Sequence, residues 1–449
     1  MSETRNNDMW VAVIGGGLAG CECAYTLSRA GVPVRMFEMK PERFSEAHHN
    51  SGLAELVCSN SLRSEEPSTG VGLLKQEMRA LHSLVMNVAD EVRVPAGKAL
   101  AVDRERFSSR MTEVVSGEPN IVLVREEIGS LDHASLQGAT AVVVAAGPMA
   151  SESLAEDLQQ LVGGERLYFY DAIAPIIASE SVDMNKAFWG SRYRPEDTDY
   201  LNCPLSEEQY KAFINAMLAA EKVKPREFEQ HIHFEGCLPV EEMAERGEMT
   251  LAFGPLKPVG LEDPRTGEQP FAVVQLRAEN REKTAFNMVG FQTKLTYPEQ
   301  KRIFRMIPGL ENAEFLRLGS IHRNTYVDAP SILDGLELKA RPGTYLAGQI
   351  TGVEGYVESA ACGLWLGHLL AARLRGRDLP CPPCETALGG LLAHLGTPPA
   401  KRFQPSNVHF GLMPALNRRA PKKKRKELYA ARGRDAFAKW LGEVKLFEE

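Results

Sequence analysis

The feature that most constrains this sequence is a group of glycines that directly follows four apolar residues, within Val11–Gly20. The glycines are spaced G-x-G-x-x-G, and each has a separate purpose in a strand–turn–helix unit. Gly15 permits the tight turn, Gly17 lets the backbone approach a pyrophosphate, and Gly20 lets the helix pack closely on the strand. The N-terminus of the following helix offers unpaired N–H groups to phosphates. The pattern predicts a phosphate-binding turn.

The residues after the glycines extend this pattern to a full dinucleotide-binding unit. An apolar helical pattern runs from Cys21 to Leu27, and a second apolar strand, Val34–Phe37, ends at Glu38. A carboxylate at that place can accept the ribose hydroxyls of a dinucleotide. The strand, helix, second strand and acid together predict a Rossmann-like domain at the start of the chain, and they make a chance glycine turn the weaker interpretation.

The length and composition are those of a globular protein with more than one domain. A chain of 449 residues, with 44% hydrophobic and 25% charged residues, is long enough for two hydrophobic cores. It has no apolar run of the ~18 residues that span a membrane, and its first residues lack the apolar core of a signal peptide. The eight cysteines form no small-domain framework. We expect reduced thiols and a cytoplasmic location, with no membrane association.

Charge is distributed unevenly along the chain. Residues 417–434 hold nine Lys and Arg against Glu427 alone, a net of +8, whereas the whole chain carries −7. The remainder therefore carries −15. A basic cluster on an acidic body is either a solvated, flexible tail or a contact for polyanions. Charge alone favours the flexible tail.

Periodicity predicts the following elements in the first part of the chain. Residues 71–87 have the spacing of one amphipathic helix, and Arg104–Val115 that of another. Ile121–Val124 is a predicted strand. The continuous apolar run Ala141–Ala146, ended by Gly147, is typical of a buried parallel strand whose carboxyl end opens at a ligand crevice.

After about residue 171 the pattern changes to that of antiparallel strands and then changes back. Alternating runs predict strands, and longer periodic runs predict helices, over these ranges: strands at His231–Phe234, Met249–Phe253, Ala272–Leu276 and Phe286–Val289; helices at Glu207–Lys222 and Pro298–Ile307. Gly343–Gly348 is again a strand that ends in glycine, and it precedes an apolar helix, Ala360–Arg373. The second glycine-rich junction can complete the site begun by the first.

The predicted fold class is therefore α/β, a discontinuous Rossmann-like FAD-binding domain with an inserted α+β domain. Its predicted limits are 1–184 and 321–416 for the dinucleotide domain, 185–320 for the inserted substrate domain, and 417–449 for a basic C-terminal extension. NAD and FAD both fit the first glycine motif. A late strand and helix commonly close the site of a flavoprotein, so Ala347–Tyr356 favours FAD.

Two groups of residues are predicted to contact FAD. The first lies near the N-terminus and comprises Gly15, Gly16, Gly17, Leu18, Ala19, Gly20, Glu38, Met39, Lys40 and Gly147. The second lies at the late junction and comprises Gly348, Gln349, Ile350, Glu354, Gly355 and Tyr356.

Motifs spread over most of the chain resemble those of one known family. Besides the first glycine motif they are Ala54–Ser61, Val94–Gly97, Ala99–Arg104, Phe234–Glu241, Phe253–Pro255, Lys257–Leu261, Asn287–Thr293, Ile307–Leu310, His322–Thr325, Ala347–Tyr356 and Asn407–Leu412. In this order they resemble the folate- and FAD-dependent tRNA (uracil-5-)-methyltransferases, the TrmFO family related to GidA. Two similar families are a ribosomal-RNA-methylating sibling and longer flavoproteins that modify the tRNA wobble position. The length of the chain argues against the second.

The resemblance implies C5-methylation of a uridine in the tRNA T-loop. It implies FAD as cofactor, 5,10-methylenetetrahydrofolate as carbon donor and NADH or NADPH as reductant, with tRNA and folate as partners and no obligatory protein partner. Methylation of ribosomal RNA by the same chemistry is the alternative substrate. The target uridine lies in a folded loop, so it has to be unstacked before it can react.

Two cysteines match the chemistry that the resemblance implies. Uracil C5 becomes nucleophilic when a thiolate adds to C6, and a base must later remove the C5 proton. Cys237, in a loop after a predicted strand, is the expected C6 nucleophile. Cys58 is the expected partner, acting on the C5 proton or on the carbon in transit, and Arg63 is close enough in sequence to favour its thiolate if it folds back. The division of roles stays a hypothesis.

The remaining assignments rest mainly on charge, spacing and position in the sequence. Asn60, Arg63, His322 and Arg323 are predicted substrate contacts, and charge alone suggests RNA phosphate contacts at Arg281, Lys283, Lys294, Arg302 and Arg323. No metal site is expected, because the two histidines of His231–His233 have no further ligands. Two other functions stay open. Cys381 and Cys384 have the spacing of a redox pair in a flavin-dependent thiol oxidoreductase, and a flavoprotein could bind RNA without catalysis.

Overall fold

The computed structural model describes residues 9–163, 167–192, 197–223, 238–398, 403–417, 420–444 and 446. Within them the strands are β1 Val11–Ile14, β2 Val34–Glu38, β3 Ser61–Ser64, β4 Arg93–Val94, β5 Ala99–Val102, β6 Ile121–Arg125, β7 Ala141–Val144, β8 Leu167–Ala172, β9 Ile176–Ala178, β10 Phe188–Gly190, β11 Tyr200–Leu205, β12 Ala272–Ala278, β13 Ala285–Met288, β14 Phe315–Arg317, β15 Ile321–Tyr326, β16 Leu333–Asp334, β17 Glu337–Leu338 and β18 Thr344–Leu346.

The helices of the described residues are α1 Leu18–Arg29, α2 Gly70–Ala80, α3 Leu84–Glu91, α4 Arg104–Gly117, α5 Glu152–Val162, α6 Glu207–Leu218, α7 Val240–Glu245, α8 Thr250–Phe253, α9 Tyr297–Phe304, α10 Ala329–Ile332, α11 Tyr356–Leu374, α12 Ala387–Gly396 and α13 Lys422–Val444. None of them is both long and apolar enough to cross a membrane.

A seven-stranded sheet joins the two ends of the chain, in the order β16-β17-β18-β7-β1-β2-β6. Strands β18, β7, β1, β2 and β6 are parallel, and β16 and β17 form an antiparallel edge. All four residues of β1 are buried, as expected of a central strand covered on both faces. Because β18 pairs directly with β7, the late junction lies beside the first glycine turn.

A six-stranded antiparallel sheet, in the order β10-β11-β12-β13-β9-β14, forms a second core. All seven residues of β12 are buried in its centre. Strands β8 and β15 pair with each other and connect this part to the parallel sheet. The inserted domain was predicted to begin at residue 185, yet strand β9, which precedes this residue, belongs to the antiparallel sheet. The domain limits stay predictions.

Several predicted elements differ from the structure. The helix predicted over 71–87 is two helices, because the chain turns at His82, whose φ is +58°, and Ser83 caps α3 by accepting a hydrogen bond from the Met86 amide. The strand predicted at Met249–Phe253 is wrong, since Thr250–Phe253 is the short helix α8. The strand predicted at His231–Phe234 lies outside the described residues.

The basic extension is helical over much of its length. Helix α13 runs from Lys422 to Val444, and Ala430, Phe437 and Trp440 on one side of it are buried. The indole Nε1 of Trp440 donates to the Pro380 carbonyl at 3.1 Å. The prediction of a flexible tail is therefore wrong for this helix, because apolar residues at helical spacing anchor it to the body.

Candidate functional site

A cleft of about 1070 Å³, which includes space open to solvent, lies at the carboxyl ends of the parallel strands. The first glycine turn and the start of α1 form one wall, and the residues after β7 and β18 form the others. Of the predicted cofactor contacts, these line it: Gly15, Gly16, Gly17, Leu18, Ala19, Glu38, Met39, Lys40, Gly147, Gly348, Gln349 and Tyr356. The other four predicted contacts do not line the cleft: Gly20, Ile350, Glu354 and Gly355.

The glycines of the first motif are required for two different reasons. Gly15 has a φ of +106°, and a Cβ there would lie 2.5 Å from the Ala145 carbonyl oxygen, so the fold itself requires glycine. A Cβ at Gly20 would overlap the Gly15 carbonyl. A Cβ at Gly17, in contrast, would meet no described atom within 4 Å. The space beside Gly17 fits a ligand pyrophosphate, which explains a glycine that the protein's own packing does not need.

Glu38 organises the far end of the cleft. Its Oε2 accepts from the Gly16 amide at 2.7 Å, and its Oε1 accepts from the Lys40 amide at 2.9 Å. The Lys40 ammonium in turn donates to the Gly52 carbonyl at 2.7 Å. The carboxylate is thus held at the edge of β2 and keeps lone pairs for ribose hydroxyls. Sequence reasoning missed His48 and Glu55, which line the same end.

Two helices direct their N-termini at this cleft. Helix α1 has Gly17 as its N-cap and α11 has Gly355, and neither glycine offers a capping side chain. Their first amides are therefore available to an anion. The helices pack very closely, since a Cβ at Gly363 of α11 would overlap the Ala19 carbonyl. Ser359, also missed, lines the cleft, and its buried Oγ has no hydrogen-bond partner among the described residues.

Hydrogen bonds around the late glycine junction fix the start of α11. Gln349 donates through Nε2 to the Glu354 carboxylate at 2.8 Å. The Glu354 carbonyl accepts from the Asn407 side-chain amide at 2.6 Å, and the Glu358 carboxylate accepts from the Val408 amide at 2.8 Å. The C-terminal motif Asn407–Leu412 therefore supports the loop that leads into α11.

Cys58 lies against Tyr356, the first residue of α11. The Cys58 amide donates to the Tyr356 hydroxyl at 2.8 Å, and the Cys58 Sγ lies 2.9 Å from the same oxygen. Burial, followed by the neighbouring Cys58 sulfur, raises the pKa of Tyr356 well above its ordinary value. The phenol therefore stays protonated. Its oxygen accepts from the Cys58 amide and from the Cys58 thiol, and its proton can stabilise the sulfur once that thiol is ionised.

Three arginines hold the segment that carries Cys58. Arg104 donates to the carbonyls of residues 56 and 57, and Arg317 donates to the latter at 2.9 Å. Arg277 donates to the Ser59 hydroxyl and to the Asn60 Oδ1, both at 2.8 Å. Burial lowers the pKa of Arg277 and of Arg317. Arg104 forms a bidentate ion pair with Glu279, whereas neither of the other two is paired with a carboxylate among the described residues.

The predicted substrate residues fall into three groups. The Arg63 guanidinium pairs with the buried Glu358 carboxylate, two residues after Tyr356. The Asn60 side chain is buried, and its Nδ2 donates to the carbonyls of Val102 and Ala278, at 3.0 and 2.9 Å, so it supports the Cys58 segment. His322 and Arg323 lie in β15, but their side chains are outside the described structure, as is all of Cys237. Their roles stay predictions.

The alternative redox pair lacks the environment of a reactive dithiol. Cys381 and Cys384 are exposed free thiols. Desolvation raises the pKa of both, and Glu385 raises that of Cys384 further. Reactive thiols have lowered values. Across the described ranges, no group of His, Cys, Asp and Glu is arranged to hold a metal ion.

Comparison with known proteins gives consistent results. A family model described as "Glucose inhibited division protein A" matches residues 10–378. A protein of Oleidesulfovibrio alaskensis is 66% identical over 430 residues, which cover 96% of each chain, and one of Geobacter sulfurreducens is 59% identical, with 97% of this chain and 99% of the relative covered. Both are named methylenetetrahydrofolate–tRNA-(uracil-5-)-methyltransferase TrmFO.

Among solved structures, Aquifex aeolicus GidA in its form II crystal matches with a TM-score of 0.68 and 18% identity, covering 98% of this chain and 75% of that one. At this identity the match concerns the fold alone. It confirms the predicted class, a Rossmann-like FAD-binding fold with an inserted α+β part. The matches to close relatives extend over nearly the whole length, so the chain belongs to the TrmFO family of folate-dependent tRNA (uracil-5-)-methyltransferases.

Proposed function

We propose that this protein methylates C5 of a uridine in the tRNA T-loop, with 5,10-methylenetetrahydrofolate as carbon donor, FAD as cofactor and NADH or NADPH as reductant. The observation that carries the proposal is the contact between Cys58 and Tyr356. This contact joins the segment that carries the Cys58 thiol to the start of α11, at the dinucleotide cleft. The names of the close relatives support the carbon donor and the RNA.

The cleft fits FAD. Glu38 would hold the ribose, the backbone at Gly17 and the first turn of α1 would hold the pyrophosphate, and the start of α11 with Ser359 would face the ring system. When bound, FAD supplies the redox chemistry that carries a methylene carbon and reduces it to a methyl group.

Activation of the uracil is assigned to Cys237. Its thiolate forms a bond to C6, and the C5–C6 electron pair moves onto C5 and O4 as an enolate, which makes C5 nucleophilic toward the one-carbon unit. After C5 has gained this carbon, loss of the C5 proton restores the enolate. Its electron pair then re-forms the C5–C6 double bond and expels the Cys237 thiolate.

Cys58 is assigned to the C5 proton. A thiolate is required for this step. Its negative charge would offset the guanidiniums of buried Arg277 and partly buried Arg317, which have no carboxylate partner in the described part of the chain. The Tyr356 hydroxyl lies 2.9 Å from the same sulfur and can donate to it once the thiol has lost its proton. The surroundings therefore favour an anionic Cys58, ready to take up a proton.

The test of these roles uses tRNA that contains 5-fluorouracil. Fluorine at C5 cannot leave as a proton, so the intermediate remains bound to the enzyme. We expect a covalent adduct with the parent protein and with Cys58→Ala, and none with Cys237→Ala. Cys384→Ser, at an exposed thiol, is the matched control and keeps full activity. An adduct with Cys237→Ala would refute the assignment of the nucleophile.

The substrate is tested with purified components. The protein is incubated with FAD, methylenetetrahydrofolate, NADH or NADPH, and an unmodified tRNA transcript, and the T-loop is analysed for 5-methyluridine. Turnover in this mixture also shows that no protein partner is needed. Methylation of ribosomal RNA with none of tRNA would select the sibling activity instead.

A further inference from the structure

The first turns of α13 carry a cluster of exposed cations. Lys424, Arg425, Lys426 and, two turns later, Arg434 are exposed. Within the described residues none of the four forms an ion pair. Lys439, nearer the C-terminus of the helix, does form an ion pair, with Glu443 at 3.8 Å. The four side chains, which we call the α13 basic surface, lie on a chain whose remainder is strongly acidic.

This surface is held in place by the rest of the helix. A Cβ at Gly433 would lie 2.7 Å from the Leu73 side chain, so α13 packs closely on α2. Further along, the Trp440 ring lies 6.1 Å from the buried Trp365 ring of α11. Apolar anchoring on two helices fixes the direction of α13. The cations are therefore presented in one geometry, which lowers the entropy cost of binding an extended anion.

The same helix is joined to the wall of the candidate site. The Tyr429 ring stacks on Phe410 with centroids 5.3 Å apart and an interplanar angle of 17°. Arg432 donates to the carbonyls of Pro414 and Ala415, at 2.6 and 3.0 Å. Phe410 belongs to the motif Asn407–Leu412, whose first residues bond to the start of α11. The basic surface is thus tied, through one short segment, to the helix that begins at Tyr356.

Clustered cations on a helix of fixed direction fit a ligand with closely spaced phosphates. Lysine and arginine bind nucleic-acid backbones through their charge, and counterion release drives this binding. RNA carries a charge at every nucleotide and releases condensed counterions on binding, so it gains more from these four cations than an acidic protein surface would. We propose that the α13 basic surface binds backbone phosphates of the folded RNA substrate and so orients it toward Cys58. This inference rests on the proposed function.

The experiment compares two variants with the same change in charge. In the first, Lys424, Arg425, Lys426 and Arg434 are each replaced by Gln. In the control, four exposed lysines outside the α13 basic surface, Lys186, Lys211, Lys301 and Lys439, are replaced by Gln. Binding of an unmodified tRNA transcript is measured by fluorescence anisotropy between 50 and 300 mM salt, and methyl transfer is measured as KM and kcat.

For the first variant we expect a Kd at least 10-fold higher. The slope of log K against log[salt] should be smaller by about 3.6, since four phosphate contacts are lost and each contributes about 0.9. KM rises while kcat and the melting temperature stay those of the parent. The control variant keeps at least most of the parent's affinity. Equal loss in the two variants, or an unchanged slope in the first, would overturn the proposal, and so would tighter binding of the parent to anionic vesicles than to tRNA.

The outcome separates this inference from the proposed function. A parent protein that methylates tRNA, together with a first variant that binds tRNA normally, refutes the α13 surface alone. A parent protein that methylates no tRNA refutes the proposed function, whatever the binding shows.

Discussion

Replacing Tyr356 with Phe removes one oxygen atom from the contact with Cys58 and leaves the ring in place. The structure gives that oxygen two partners, the Cys58 amide at 2.8 Å and the Cys58 sulfur at 2.9 Å. A hydrogen bond to a charged group contributes about 1.5–3 kcal/mol. Since 1.36 kcal/mol is a factor of ten in the ratio of thiolate to thiol, its loss lowers that ratio by about 10- to 100-fold. The variant should therefore hold less thiolate at neutral pH.

The assay follows the rate at which iodoacetamide alkylates Cys58, from pH 5 to 10, by mass spectrometry of the Cys58 peptide. We expect the Tyr356→Phe profile to be displaced to higher pH, with slower alkylation at neutral pH and the same plateau. Tyr345→Phe is the control, because the hydroxyl of Tyr345 bonds to Arg373 instead, at 3.2 Å. Identical profiles for the parent and Tyr356→Phe would show that the hydroxyl does not stabilise the thiolate, and the assignment of Cys58 as the base would lose its support.

Three further predictions concern the cofactor cleft and the helices that form it. Gly17→Ala should fold with an unchanged melting temperature but bind FAD at least 10-fold more weakly by flavin fluorescence, because the added methyl meets only the ligand space; equal FAD affinity would remove the argument from Gly17. Gly363→Val should lower the stability of the protein by about 1–3 kcal/mol in urea, because its side chain would overlap the Ala19 carbonyl. Burial lowers the pKa of His368 to about 4. Its neutral form therefore stabilises the fold above pH 6.5, and this contribution is lost as the pH falls toward 4. His368→Gln should lose less thermal stability than the parent between pH 7 and 5; equal losses would contradict this.

Local patterns predicted the two glycine junctions well. The first is a buried strand, a turn and a helix within Val11–Arg29, and its conformation depends on neighbours in sequence. The second junction, at β18 and α11, was found by the same reasoning. Parallel pairing of β18 with β7 then follows from the topology of such sheets, so the prediction that the two junctions share one site was within reach of the sequence.

Contacts between residues far apart in the sequence could not be predicted from it. Arg104, Arg277 and Arg317 meet at the Cys58 segment from three separate parts of the chain, and no spacing relates them. Arg63 is near Cys58 in sequence, yet its guanidinium is committed to Glu358. A charge's neighbours in space depend on tertiary packing, which periodicity does not describe.

Two misread elements have local causes. The apolar spacing of 71–87 continues through the turn at His82, so periodicity alone could not show that the chain breaks there. In α13 the density of Lys and Arg hid the buried positions at Ala430, Phe437 and Trp440, which a search at helical spacing would have found.

The pairing of β18 with β7 has a consequence for how the protein is made. During synthesis the ribosome releases β7 about 200 residues before β18, so the central sheet is left with an unpaired edge until Thr344–Leu346 emerges. Helix α11, which packs against α1 and brings Tyr356 to Cys58, follows only then. The nascent chain can therefore form its first glycine turn early, but it acquires the complete cleft only when nearly four-fifths of its residues have been translated.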